Sequence, residues 1–143
     1  MEIREMSLEE LNEMNKGTLM EALGIRFVSV TAQRVEATMS VDSRTRQPFG
    51  ILHGGATLAL AETVAGIGSY MNIRQGEQSV GAQASCNHLS SALDGDTVSA
   101  VATPIHLGRT THIWNIDVLS STGRLVSSVR FMNFVKPASS RQK

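Results

Sequence analysis

The sequence predicts an α+β fold in which an antiparallel sheet wraps round one long central helix, preceded by two short helices. Two observations carry this. Residues 47–61 contain no Asp, Glu, Lys or Arg, and neither do residues 63–73, so Glu62 is a single charge in an otherwise neutral stretch. A helix with apolar residues on all sides belongs in a core. Behind it come four strand-like stretches separated by turn chemistry, and such a sheet buries the helix on one face. The 143 residues suit one domain, spanning 1–136 and followed by a polar tail, 137–143, expected to be disordered.

The elements follow in order. Ser7-Leu8-Glu9-Glu10 is a capping box, in which hydroxyl and carboxylate satisfy the first free amides of a helix running to about Met14. Thr18 and Glu21 repeat it after Asn15-Lys16-Gly17, and Gly24 stands where a helix C-cap takes positive φ. These two helices look like a lid or brace. Val35, Ala37, Met39 and Val41 alternate with polar residues, which makes 35–41 a half-buried strand, paired with 27–31. The central helix is expected from Gly54 to about Met71, and its glycines, threonines and Glu62 make it too polar for a membrane span. Strands are expected over about 79–90, 97–106, 111–119 and 124–135, with turns at Asp94-Gly95-Asp96 and 120–123. Ile113 and Trp114 are candidates for an outward face, subject to a register that one residue would invert.

Composition excludes several function classes. Thirteen basic residues against thirteen acidic ones leave no electrostatic footprint for nucleic acid or an anionic membrane. Charged residues make up 18%, below the roughly 25% usual in soluble proteins, a hint that surface is covered by another copy. One cysteine, Cys86, and no signal-peptide pattern point to the cytoplasm. Four histidines with one cysteine do not supply a structural zinc site, so no metal is expected.

The densest chemistry is Gln47-Pro48-Phe49-Gly50-Ile51-Leu52-His53-Gly54-Gly55, at the start of the central helix. Helix N-termini present unpaired amides and partial positive charge, so Gly54 and Gly55 bring donors to a developing oxyanion, and the Gln47 amide can add another. Two glycines also serve a tight turn into a helix, and the residues alone leave both readings open. Glu62 in apolar surroundings is neutral, paired or facing a cavity, unless it simply points to solvent. Nine residues place it roughly 13 Å along the axis from His53 and on the opposite side. One helix therefore cannot aim both ends at one carbonyl. Joint action of Gly54 and Glu62 requires a second, antiparallel helix, hence a two-fold homodimer with composite sites, with a homotetramer as the expected further assembly.

These residues resemble the hotdog-fold acyl-CoA thioesterases of the phenylacetate-pathway type, the group with dihydroxynaphthoyl-CoA, enterobactin-proofreading and 4-hydroxybenzoyl-CoA thioesterases. The resemblance runs from Leu8 to Val135. Its most specific piece is Gln47 to Ala56 with Leu60-Ala61-Glu62-Thr63, supported by Asn87-His88-Leu89 and by Pro104 to Thr110. It implies Glu62 as nucleophile or general base, the Gly54 amide polarising the thioester carbonyl from the other subunit, and Gln47 and His53 in support. It further implies coenzyme A contacts at Gly81, at His88, Leu89, Ser90 and Ser91, and at Ile105, His106, Leu107, Gly108, Arg109 and Thr110. The implied substrate is an acyl-CoA with an aryl or aryl-like group, or an acyl carrier protein thioester, and coenzyme A is part of substrate and product rather than a cofactor. For His88 the residue alone equally suits a polar strand residue satisfied at the surface, and Arg109 alone is more often an ordinary turn charge than a ligand. The sequence departs from the family at Gly66, one turn after Glu62, where relatives commonly carry Ser or Thr. Ser69 is nearly on the same face but two turns from Glu62, and Gly66 and Gly68 suggest close packing of the helix.

Two other readings stay open. Hotdog hydratases and dehydratases use a His and an acid at the α and β carbons of an acyl thioester, roles His53 and Glu62 match in type. A non-catalytic acyl-CoA binding protein would keep the fold without turnover, and Gly66 keeps that reading open.

Overall fold

The computed structural model describes residues 5–138. In chain order the elements are α1 (Leu8–Met14), α2 (Leu19–Leu23), β1 (Arg26–Val30), β2 (Val35–Ser40), α3 (Gly54–Tyr70), β3 (Glu77–His88), β4 (Thr97–Leu107), β5 (Thr111–Leu119) and β6 (Leu125–Pro137). The strands form one sheet in the order β1-β2-β4-β5-β6-β3. Every neighbouring pair is antiparallel. β6 reaches Pro137, which pairs with Glu77, and the Ala138 amide bonds to the Gly76 carbonyl at 2.8 Å. The expected disordered tail is thus corrected at its start, because antiparallel pairing with β3 holds 137 and 138; residues 139–143 lie outside the described residues.

The predicted caps form, with one change. The Ser7 hydroxyl accepts from the Glu10 amide at 3.1 Å while the Glu10 carboxylate accepts from the Ser7 amide at 2.8 Å. At α2, Thr18 accepts from the Met20 amide, but the Glu21 carboxylate reaches one residue further back, to the Gly17 amide at 2.7 Å. Gly24, at φ 71°, closes the helix in the left-handed region. The two helices act as a brace: Asn12 donates to the Phe27 carbonyl at 3.1 Å and accepts from the Phe27 amide at 2.8 Å, imitating a neighbouring strand on the outer edge of β1.

Helix α3 lies across one face of the sheet and touches β2, β3, β4, β5 and β6. Its buried residues come in adjacent pairs one turn apart, Ala56 and Thr57, Leu60 and Ala61, Val64 and Ala65, Gly68 and Ser69. The expectation that this helix is buried all round is corrected. Gly55 and Glu62 are exposed, and Leu58, Ala59, Thr63, Gly66 and Ile67 are half-buried, because the single sheet covers only one side. Trp114 is also corrected from the outward face to the core, where it is 0% exposed and its ring packs on Gly68; alternation along β5 then turns Ile113 outward.

The two edges of the sheet differ. β1 is bordered by α1, whereas β3 runs twelve residues with Gly81 to Ser85 all exposed. Between Glu77 and His88 it has neither Lys nor Pro, the residues that usually blunt an edge against pairing. An open strand edge and an open helix face therefore lie side by side.

Candidate active site

The loop ahead of α3 is pinned at both ends. The His53 amide bonds to the Thr45 carbonyl at 2.8 Å and the Leu52 amide to the Ala92 carbonyl at 2.8 Å. Gly50, at φ 82°, turns the chain back so that the Gln47 amide meets the Ile51 carbonyl at 2.8 Å. Within this turn the Gln47 side-chain oxygen accepts from the Phe49 amide, so what the same side chain has left to offer is the two Nε2 hydrogens, both donors. His53 is the N-cap: its Nδ1 accepts from the Gly55 amide at 2.8 Å, and its carbonyl takes the Ala56 and Thr57 amides. Among the hydrogen bonds of the described residues, the Gly54 amide has no acceptor.

His88 lies against Gly54. A Cβ built on Gly54 would come within 2.6 Å of His88 Nε2, so any side chain at 54 displaces the imidazole. The other ring nitrogen, Nδ1, bonds to Ser127 Oγ at 2.8 Å, and Ser127 is 0% exposed. Sequence reasoning missed Ser127, although a serine facing inward among Val129 and Phe131 signals a buried polar partner. Cys86 Sγ lies 3.7 Å from the same ring, and burial pushes its thiol above the ordinary range, away from thiolate chemistry. Gln47, Gly54, His88, Leu89, Ser90 and Ser91 together line a cleft of about 330 Å³, to which Thr57 and Ser127 also contribute.

Glu62 stands apart from this cleft. Its carboxylate is on the open face of α3 and lies against Gly81 of β3. Eight residues separate it from Gly54, about 12 Å along the helix axis. Gly66, one turn further, faces open space. Ser69 is on the sheet side: its hydroxyl accepts from Trp114 Nε1 at 2.9 Å and from Asn133 Nδ2 at 2.9 Å and meets His112 Nδ1 at 3.0 Å. It therefore does not stand in for a hydroxyl beside Glu62.

The remaining sequence candidates lie at the other end of the helix. Leu107, Gly108 and Arg109 line a second cleft of about 330 Å³ with Asn72, Glu77 and His112. Ile105 is half exposed, Thr110 is exposed and the His106 ring lies against Gly108. One chain thus brings Gln47, His53, Gly54 and His88–Ser91 together and leaves Glu62 with Gly81, and Ile105–Thr110, elsewhere along the helix. Among the described residues no group of His, Cys, Asp and Glu has the geometry to hold a metal ion, and no helix is long and apolar enough to cross a membrane.

A long central helix laid across a six-stranded antiparallel sheet, preceded by short N-terminal helices, is a hotdog fold. The chain belongs to the thioesterase superfamily, whose family description matches residues 49–127. It is 42% identical over 127 residues, 89% of this chain and 93% of the relative, to 1,4-dihydroxy-2-naphthoyl-CoA hydrolase of Escherichia coli. It is also 42% identical over 132 residues to the proofreading thioesterase EntH of Cronobacter turicensis, covering 92% and 96% of the two chains. Among solved structures, a thioesterase of Haemophilus influenzae superposes with a TM-score of 0.92 at 35% identity, covering 99% of this chain and 98% of that one.

Proposed function

We propose that this protein hydrolyses an acyl-CoA thioester to the free acid and coenzyme A, with an aryl or aryl-like acyl group preferred. The observation that carries the mechanism is the separation of Glu62 from Gly54 along one open helix-strand face. A carbonyl polarised by the Gly54 amide and attacked with help from Glu62 must touch both within about 3 Å, so the two come from different chains. Gly54 faces His88 and Glu62 faces Gly81, and these two positions lie seven residues apart on the open edge strand. Because the bulge between Gly81 and Gln83 removes one step from the ladder, two β3 edges paired antiparallel about a two-fold axis through Ser85 set Gly81 opposite the partner subunit's His88. That register carries Glu62 to the partner subunit's Gly54 and repeats the arrangement once more by symmetry. It also moves the far end of one helix, with Leu107–Arg109, toward the cleft of the other chain, which is where coenzyme A contacts from both groups meet.

In this site the thioester oxygen points at the Gly54 amide and the Gln47 Nε2 hydrogens. Glu62 either takes a proton from water as its oxygen bonds to the carbonyl carbon, or attacks that carbon itself and is freed by water. The tetrahedral oxyanion rests on the helix N-terminus. Its collapse breaks the C–S bond and expels the coenzyme A thiolate. The preference for aryl groups is supported by the name of the naphthoyl-CoA hydrolase relative. No observation favours hydration: His53 Nδ1 is engaged as the helix N-cap, which leaves that histidine a capping role.

Free-thiol release from aryl, short-chain and long-chain acyl-CoA esters, in wild type and Glu62→Gln, tests the reading. Glu62-dependent release is expected, fastest for aryl esters. Unchanged release in the variant, or a double-bond change in an enoyl-CoA without thiol, overturns it. Mixing Glu62→Gln chains with Gly54→Val chains tests the composite site: half the dimers are hybrids with one intact site of two, so about a quarter of wild-type activity returns. No recovery with hybrids present places both groups in one chain.

A further inference from the structure

We infer that Gly81 is a positioning residue, the seat on which the Glu62 carboxylate rests; this depends on the reading of Glu62 above. A Cβ built on Gly81 would approach Glu62 Oε1 to 2.8 Å, and Phe131 Cζ to 3.1 Å. Backbone conformation does not call for glycine, since Gly81 is not among the glycines of positive φ. Depth does not either, since the residue is exposed in the chain. What the missing Cβ supplies is room for the carboxylate against the strand. The ladder between β3 and β6 shifts between Gly81 and Gln83, and such a bulge re-aims the backbone beside it. Toward the C-terminal end of the helix, Gly66 leaves open space one turn beyond Glu62. Within its own chain the carboxylate therefore has a wall on the strand side only. A flexible glutamate yields to a methyl group at 81 by rotating into that space, so the fold survives and the aim is lost.

The resemblance of this chain to its family assigns Gly81 a different task, contact with coenzyme A, and the two tasks separate kinetically. A seat for the carboxylate acts on kcat; a coenzyme A contact acts on KM. Misplacing a reacting group by about 1 Å costs on the order of 100-fold. Gly81→Ala is expected to lower kcat by about 10- to 100-fold with KM within about threefold of wild type. In a Glu62→Asp background, where the carboxylate is one methylene shorter and clears the added methyl, Gly81→Ala is expected to cost less than about threefold. The second contact of the new methyl, with the Phe131 ring, is relieved in Gly81→Ala/Phe131→Leu, which keeps the test open if the single variant folds poorly. That double variant is to be compared with Phe131→Leu alone.

A raised KM with unchanged kcat in Gly81→Ala overturns the inference, as does an equal cost of Gly81→Ala in the Glu62 and Asp backgrounds. Glu62→Gln run alongside separates the two layers. If Glu62→Gln retains wild-type turnover, the reading of Glu62 fails whatever Gly81 does; if it is inactive while Gly81→Ala is fully active, only the seat fails.

Discussion

Ser69→Ala probes how the site-bearing helix is held on its sheet. The hydroxyl oxygen has two lone pairs, and Trp114 Nε1–H and Asn133 Nδ2–H occupy both, each at 2.9 Å. Its own proton is then left for His112 Nδ1 at 3.0 Å, so His112 is neutral with its proton on Nε2. Trp114 and Ser69 are 0% exposed and His112 is 3% exposed, so water replaces none of these partners. The substitution orphans Trp114 Nε1–H and His112 Nδ1, whereas Asn133 keeps a bond to the Ala65 carbonyl at 3.2 Å. At about 1–3 kcal/mol for each of the two orphaned buried groups, less roughly half a kcal/mol gained in helix propensity, the net loss is about 1.5–5.5 kcal/mol. That corresponds to a fall in Tm on the order of 10 °C for a domain this size. Thermal unfolding at pH 8 and fixed protein concentration measures it. In a cycle with Trp114→Phe, removing the second partner should cost less in the Ser69→Ala background than alone. A Tm within about 1 °C of wild type, or strict additivity in the cycle, refutes the account.

His112 makes stability depend on pH. Burial holds its pKa below the ordinary histidine value, against an opposing hydrogen bond to the Gly108 backbone, so the unfolded chain binds more protons in the window just below about 6.5. Tm is therefore expected to fall as pH drops through that window, and to fall less in His112→Gln. Gln47→Ala is expected to lower kcat by about 100- to 1,000-fold through the loss of one donor to the oxyanion; steady-state thiol release checks this, and a change in KM alone contradicts it. At Gly68 an added Cβ would stand 2.7 Å from the buried Trp114 ring, so Gly68→Val is expected to destabilise by about 1–3 kcal/mol or more, read by urea unfolding. Single turnover in ¹⁸O-water distinguishes the two roles of Glu62, because label entering the enzyme carboxylate marks the nucleophile.

Much of this protein is decided by neighbours in sequence. The Ser7–Glu10 box, the left-handed Gly24, the alternation of β2 and the glycine pair that opens α3 all depend on contacts a few residues apart, which local chemistry dictates. The separation of Glu62 from the helix N-terminus is likewise legible, since helical rise alone sets it. The sequence does not show which side of an evenly apolar helix meets the sheet: without a polar stripe, periodicity has no phase to report, and only packing on one face leaves Glu62 and Gly66 uncovered. Trp114 and Ile113 exchange faces with a one-residue change of register, so their sides are settled by pairing with β4 and β6. The contacts that join distant segments, Ser69 with Trp114, His88 with Ser127 and Glu62 with Gly81, exist only once the sheet has closed under the helix, because none of these residues carries a local signal for its partner.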